Sequence, residues 1–115
     1  MLRGEIRLVT LDPVIGAEAN KRRPAVIVSN DGANATAGRL GRGVVTVVPV
    51  TSNVASVYPF QVKLSAEATG LRTESKAQAE QVRSVAVQRM GSRIGRVPAD
   101  LMAEIDEALR IHLAL

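Results

Sequence analysis

Short β-branched runs bounded by turn formers, with one amphipathic helical stretch at the end, predict a mainly β (α+β) chain. Small antiparallel sheets avoid open edges by curling up, and a helix can cover an open end. The expected architecture is therefore a small SH3-like antiparallel β-barrel with a C-terminal α-helix. At 115 residues the chain is expected to form one domain, residues 1–115. That length buries roughly two-thirds of the unfolded surface without disulfide or metal staples.

Glu5 to Leu11 alternates in part, with Ile6, Leu8 and Leu11 expected inward and Arg7 solvated, and it stops at Asp12-Pro13. Gly16 to Asp31 is the pivot of the chain. Its first half is a polar loop carrying Glu18 and three consecutive cations, Lys21, Arg22 and Arg23. Pro24 then fixes one φ angle, biases Arg23 toward extended backbone and opens the apolar run Ala25 to Val28, a buried strand. Arg23 thus stands where a loop meets a strand, a place from which scaffolds commonly present chemistry.

Asn30 to Gly43, rich in Asn, Gly, Ala and Thr, is expected to be a long connection with at most one helical turn. Val44 to Val50 is a central strand, with Pro49 near an edge or bulge because it has no N–H to give a ladder. Thr51, Ser52 and Asn53 follow and, judged alone, make a turn. Tyr58-Pro59-Phe60 reads as barrel packing and leads into a strand from Gln61 to Leu64. Ser65 to Ser75 is expected to be loop, and Gln81 to Val85 a strand. Arg89 to Val97 is a glycine-interrupted strand or turn pair, which makes about five strands in all. Pro98 opens a helix ending near His112 or Leu113. Leu101, Met102, Ile105, Ala108, Leu109, His112 and Leu113 share one face, and Glu104, Asp106, Glu107 and Arg110 fill the other.

Composition narrows the function. The chain has no cysteine, which removes disulfides, thiol nucleophiles and Cys-based zinc sites. The lone His112 excludes His-pair catalysis and most histidine metal sites. No apolar run approaches membrane-spanning length and the N-terminus lacks a signal-peptide core, so a cytoplasmic protein without a membrane partner is expected. Net charge is +4 and the sequence pI about 10.3, with arginine supplying most of the cations. The guanidinium fork matches phosphate oxygens in pairs, which favours a phosphate-bearing partner. Basic pI alone is weak support, because charge also serves solubility. Tyr58 and Phe60 are the only aromatics, leaving few base-stacking platforms.

Several blocks gain meaning from their order and spacing. They are Arg3-Gly4-Glu5-Ile6, Leu11-Asp12-Pro13, Gly16-Ala17-Glu18, Arg23 through Asp31, Val48-Pro49-Val50-Thr51-Ser52, Tyr58-Pro59-Phe60 and Ala79-Glu80-Gln81-Val82-Arg83-Ser84. Together they resemble the MazF/PemK family of toxin endoribonucleases from type II toxin–antitoxin systems, and within it the actinobacterial MazF-type sequences. The resemblance covers nearly the whole chain. It implies a homodimer of SH3-like barrels, a fold shared with CcdB. It also implies metal-independent, cofactor-free cleavage of single-stranded RNA at short sequences, leaving a 2′,3′-cyclic phosphate and a 5′-hydroxyl. A cognate MazE-type antitoxin would block the RNA groove with a disordered acidic tail.

By the same resemblance, Arg23 and Thr51 occupy catalytic positions. Glu18 matches an acid tied to toxicity in relatives, and Gln81 a position near bound RNA. Lys21, Arg22, Ser52, Asn53 and Arg83 complete the expected RNA-contacting set. A guanidinium and a hydroxyl aimed at the non-bridging oxygens would stabilise a dianionic phosphorane. Arginine stays protonated, with a pKa above about 12, so Glu18 is the better base and Arg23 the charge stabiliser. The plainer readings are solvated loop charges for Lys21 and Arg22 and an ion-paired loop former for Glu18. Arg7 and Thr10 stand where relatives commonly carry an aromatic and an acid, so no cleavage motif carries over. The alternative is a non-catalytic CcdB-like toxin that binds DNA gyrase. The ending His112-Leu113-Ala114-Leu115 lacks the aromatic tail such toxins rely on. A third option is an inactive member that only binds antitoxin.

Overall fold

A computed structural model describes residues 1–11, 15–18 and 22–115. Among them seven strands form one antiparallel sheet: β1 (Glu5–Thr10), β2 (Arg22–Ile27), β3 (Val44–Thr51), β4 (Gln61–Leu64), β5 (Ser75–Gln78), β6 (Arg83–Ala86) and β7 (Met90–Arg96). Three helices accompany them, α1 (Asp31–Leu40), α2 (Ala66–Thr69) and α3 (Ala99–Leu113). The strand order is β4-β5-β3-β2-β1-β7, with β6 pairing beside β3. The mainly β class with a C-terminal helix is as expected. The count exceeds five because a single 3₁₀ turn at 79–81 separates two four-residue strands, β5 and β6. No described helix is long and apolar enough to cross a membrane.

The spine of the sheet is β3. One of its edges pairs with β2 from Ala25↔Pro49 to Ile27↔Val47. The other is shared, β6 taking Val44 to Val47 and β5 taking Val50 and Thr51. The Thr46 carbonyl accepts the Val28 N–H at 2.9 Å, so the even-numbered backbone groups face β2. Pro49 therefore faces the shared edge, in the interval where β6 has ended and β5 has not begun. Its missing N–H costs the ladder nothing there.

Alternation sends the side chains of each strand to two faces, and both are covered. Ile6, Val26 and Val48 cluster with Val62, Leu64 and with Met102, Ile105 and Ala108 of α3. Val9, Leu11, Ala25, Ile27, Val45 and Val47 cluster on the other face with Ala37 of α1 and Val85. That second cover corrects the reading of 30–43 as a loop. The Asn30 side chain caps α1 by accepting the Ala33 N–H at 2.8 Å, and Gly41 ends it with φ +64°. Buried Asn34 donates to the Ser29 carbonyl at 2.9 Å, and Ser29 Oγ accepts the Thr46 N–H at 3.1 Å, which fastens the helix to β3. Gly32, Asn34 and Gly38 depress helix propensity, so the caps and not the interior carried the signal. The 65–75 stretch also holds a helical turn, α2, between Ser65 and Gly70 caps.

Two glycines let β7 close in. A Cβ on Gly91 would sit 2.6 Å from the Leu8 carbonyl oxygen, and one on Gly95 2.5 Å from that of Thr69. Gly95 thus admits the end of α2 against β7, across the seam between the two ends of the strand order. Several side chains differ from expectation. Arg7 is half-buried, its Nε donating to Glu5 Oε1 at 3.1 Å and a terminal nitrogen to the Gly91 carbonyl at 3.0 Å. His112 is exposed together with Arg110, Ile111 and Leu113, so no face of the last turn of α3 is covered. Tyr58 stacks on Phe60 with ring centroids 5.6 Å apart, yet it is 53% exposed; only Phe60 is even half-buried.

Candidate active site

Ile6, Val26 and Val48 stand in register across β1, β2 and β3 and are fully buried. The next row on the same face is Leu8, Pro24 and Val50, since Leu8 pairs with Pro24 as Ile6 pairs with Val26. This row floors an open cleft of about 620 Å³. Leu8 is half-buried for that reason: alternation points it inward, but what lies above it is a cavity.

Leu71 and Ile94 complete the apolar lining, and the polar residues lining the cleft are Arg23, Thr51, Ser52, Arg72, Thr73 and Ser75. Arg23 is the second residue of β2, paired with Val9 and half-buried. Thr51 ends β3, and its backbone is held by the pairing with Lys76. Thr51 Oγ1 accepts the Asn53 N–H at 3.2 Å. A hydroxyl has one proton and two lone pairs, so this bond occupies one lone pair and leaves the proton to be donated elsewhere. The cleft is thus a mainly apolar slot of ligand-binding size with an arginine and a hydroxyl donor in its lining. Among the described residues no group of three carboxylates or imidazoles is placed to hold a metal ion.

Residues 2–113 match the model of the PemK-like, MazF-like toxin of type II toxin–antitoxin systems. The chain belongs to this family. It is 66% identical over 115 residues to endoribonuclease MazF9 of Mycobacterium tuberculosis, covering 100% of this chain and 98% of that one. Among solved structures, MazF from Deinococcus radiodurans superposes with a TM-score of 0.83 at 28% identity, covering 100% of this chain and 97% of that one. A MazE–MazF structure from the same organism gives 0.74 at 26% identity, with 100% and 96% coverage.

Of the positions singled out from resemblance to MazF/PemK toxins, Arg23, Thr51 and Ser52 line the cleft together. Asn53 does not line it; its Oδ1 accepts the Ala55 N–H at 3.3 Å and shapes the turn that holds Thr51. Glu18 is exposed and outside the cleft, its Oε1 accepting the Ile15 N–H at 2.9 Å within its own turn. Gln81 and Arg83 reach backbone carbonyls of the β1–β2 connection, Ala17 at 3.1 Å and Leu11 at 3.3 Å. Arg89 donates to the carbonyl of Thr10, the last residue of β1, at 3.1 Å. Arg22 is exposed, with its guanidinium beside Gly91. Lys21 lies outside the described residues. Sequence reasoning passed over Arg72 and Thr73, whose only signal was a lone cation beside Gly70-Leu71 in a stretch taken as loop.

Proposed function

We propose that this chain is a cytoplasmic endoribonuclease toxin, a single domain over residues 1–115 that acts as a homodimer on single-stranded RNA and is held in check by a MazE-type antitoxin. Support for the activity comes from the 66% identity to an endoribonuclease across the whole chain. The MazE–MazF structure of a relative supports the antitoxin partner. The observation that carries the catalytic reading is the presence of Arg23 and Thr51, distant in sequence, in the lining of one cleft.

The reaction needs no nucleophile from the protein. The 2′-hydroxyl of the RNA attacks the adjacent phosphorus and loses its proton to a base. The bond from phosphorus to the 5′-oxygen then breaks, and that oxygen takes up a proton. The products are a 2′,3′-cyclic phosphate and a 5′-hydroxyl. The Arg23 guanidinium and the Thr51 hydroxyl proton neutralise the non-bridging oxygens as the phosphorane forms, and removing one such donor costs roughly a hundred- to a thousand-fold. Arg23 stays protonated, which fits it to stabilise charge and protonate the leaving oxygen and not to act as base. Glu18 is the base candidate the resemblance supplies, but its place outside the cleft and its bond to Ile15 favour the plainer loop-shaping role. A pH–rate profile of Glu18→Gln decides between them: loss of the acidic limb assigns the base, and an unchanged profile assigns the loop. Ser52, Asn53, Gln81, Arg83, Arg22 and Lys21 make up the surrounding RNA-contacting surface.

The deciding experiment incubates the pure chain with single-stranded RNA in excess chelator. Cyclic-phosphate ends that disappear in Arg23→Ala support the nuclease. Intact RNA together with inhibited DNA gyrase supports the CcdB-like alternative.

A further inference from the structure

Several described cations have structural work. Arg3 is tied to Asp106, Arg7 to Glu5, Lys76 to the Ser56 carbonyl, Arg83 to the Leu11 carbonyl and Arg89 to the Thr10 carbonyl. Arg72 is exposed and makes no hydrogen bond or ion pair among the described residues. Arg39, Arg42 and Arg96 are exposed too, but Arg72 is the one that lines the same cleft as Arg23 and Thr51.

Its backbone, by contrast, is fixed on both sides. The Leu71 N–H donates to Thr69 Oγ1 at 3.3 Å, and Thr69 Oγ1 donates to the Ser65 carbonyl at 2.7 Å. Beyond Arg72, the Ser75 hydroxyl donates to the Thr73 carbonyl at 3.0 Å, and the Glu74 carboxylate accepts the Ala66 N–H. An anchored backbone presenting an unengaged guanidinium over a cleft is arranged for an anionic ligand. The neighbouring lining, Leu71 and Ile94, is apolar and suits the flat face of a base.

We propose that Arg72 is an RNA-positioning residue: its guanidinium holds the phosphate of the nucleotide flanking the scissile linkage, with that nucleotide's base against Leu71 and Ile94. The assignment rests on the nuclease reading and adds to it a contact made equally before and during the reaction. Arg23 and Thr51 act on the linkage that breaks; Arg72 fixes which stretch of backbone lies across them.

The test uses the full chain and a long unstructured single-stranded transcript. Sites cut by the wild type are mapped first, and a short RNA spanning one of them serves for kinetics. Binding is read on a Thr51→Ala background so that the RNA survives. Arg72→Ala is expected to raise KM about tenfold with little change in kcat, the pattern for loss of uniform binding. Arg72→Lys restores most of the lost affinity. The slope of log affinity against log salt falls by about 0.7, the amount for one single-strand phosphate. Thermal midpoints stay at the wild-type value, because the side chain is exposed and unbonded. Unchanged KM and salt slope in Arg72→Ala, or a fall in kcat alone, overturn the assignment and leave the nuclease reading intact. A wild-type chain that neither binds nor cuts RNA overturns both.

Discussion

Two rows of side chains on one face of the same three strands have opposite jobs. Ile6, Val26 and Val48 form the sealed row; Leu8, Pro24 and Val50, one step along, floor the cleft. The strand geometry is the same in both, so alternation alone does not separate core from site. The cover does. Met102 and Ile105 of α3 belong to the sealed cluster, which Val50 joins from beneath, whereas half-buried Leu8 and Pro24 face the 70–75 segment and Ile94 across a cavity.

The sharpest way to break this contrast is to change chemistry without changing packing. Thr51→Ala is expected to slow RNA cleavage by about a hundred- to a thousand-fold while leaving the thermal midpoint near wild type, and Thr51→Ser to keep most of the rate. The sealed row predicts the reverse. Ile105→Ala, in the cover, is expected to cost about 2–5 kcal/mol in chemical denaturation. Leu8→Ala in the open row should cost closer to about 1 kcal/mol, because less apolar surface returns to water. Equal losses at both positions would mean that the two rows are packed alike.

The seam gives a smaller effect. Gly95→Ala forces a Cβ onto the Thr69 carbonyl and is expected to cost about 1–3 kcal/mol, read as a lower denaturation midpoint. The smallest is a pH effect at the start of β1. Burial pushes the Glu5 carboxyl up, but a backbone hydrogen bond at Leu2 and the Arg7 guanidinium outweigh it and hold the group below its ordinary value of 4.5. A depressed folded value stabilises above the unfolded one, and the gain is lost as pH falls through it. The wild type should therefore melt above Glu5→Gln at neutral pH, with the gap closing below about pH 4.

The strands of the sealed row were legible because β-branched runs such as Val44 to Val50 allow little else. The proposed catalytic pair was legible through its motifs, Arg23 before Pro24 and Thr51 after Val50. Three things were hidden, each for its own reason. Helix α1 was masked by Gly32, Asn34 and Gly38, and only its Asn30 and Gly41 caps announced it. The half-burial of Leu8 depends on what lies above it, which a strand pattern does not encode. Arg72 sits in a connection whose route into the cleft is set by α2 and by Gly95 accepting it, both tertiary facts.

The central claim is that Arg23 and Thr51 act on one phosphate. A double-mutant cycle on RNA cleavage tests it most directly, comparing Arg23→Ala, Thr51→Ala and the double variant in excess chelator. Residues that act as a unit are strongly non-additive, so the double variant is predicted to be scarcely slower than the slower single one. Losses that multiply, or wild-type cleavage by either single variant, would contradict it.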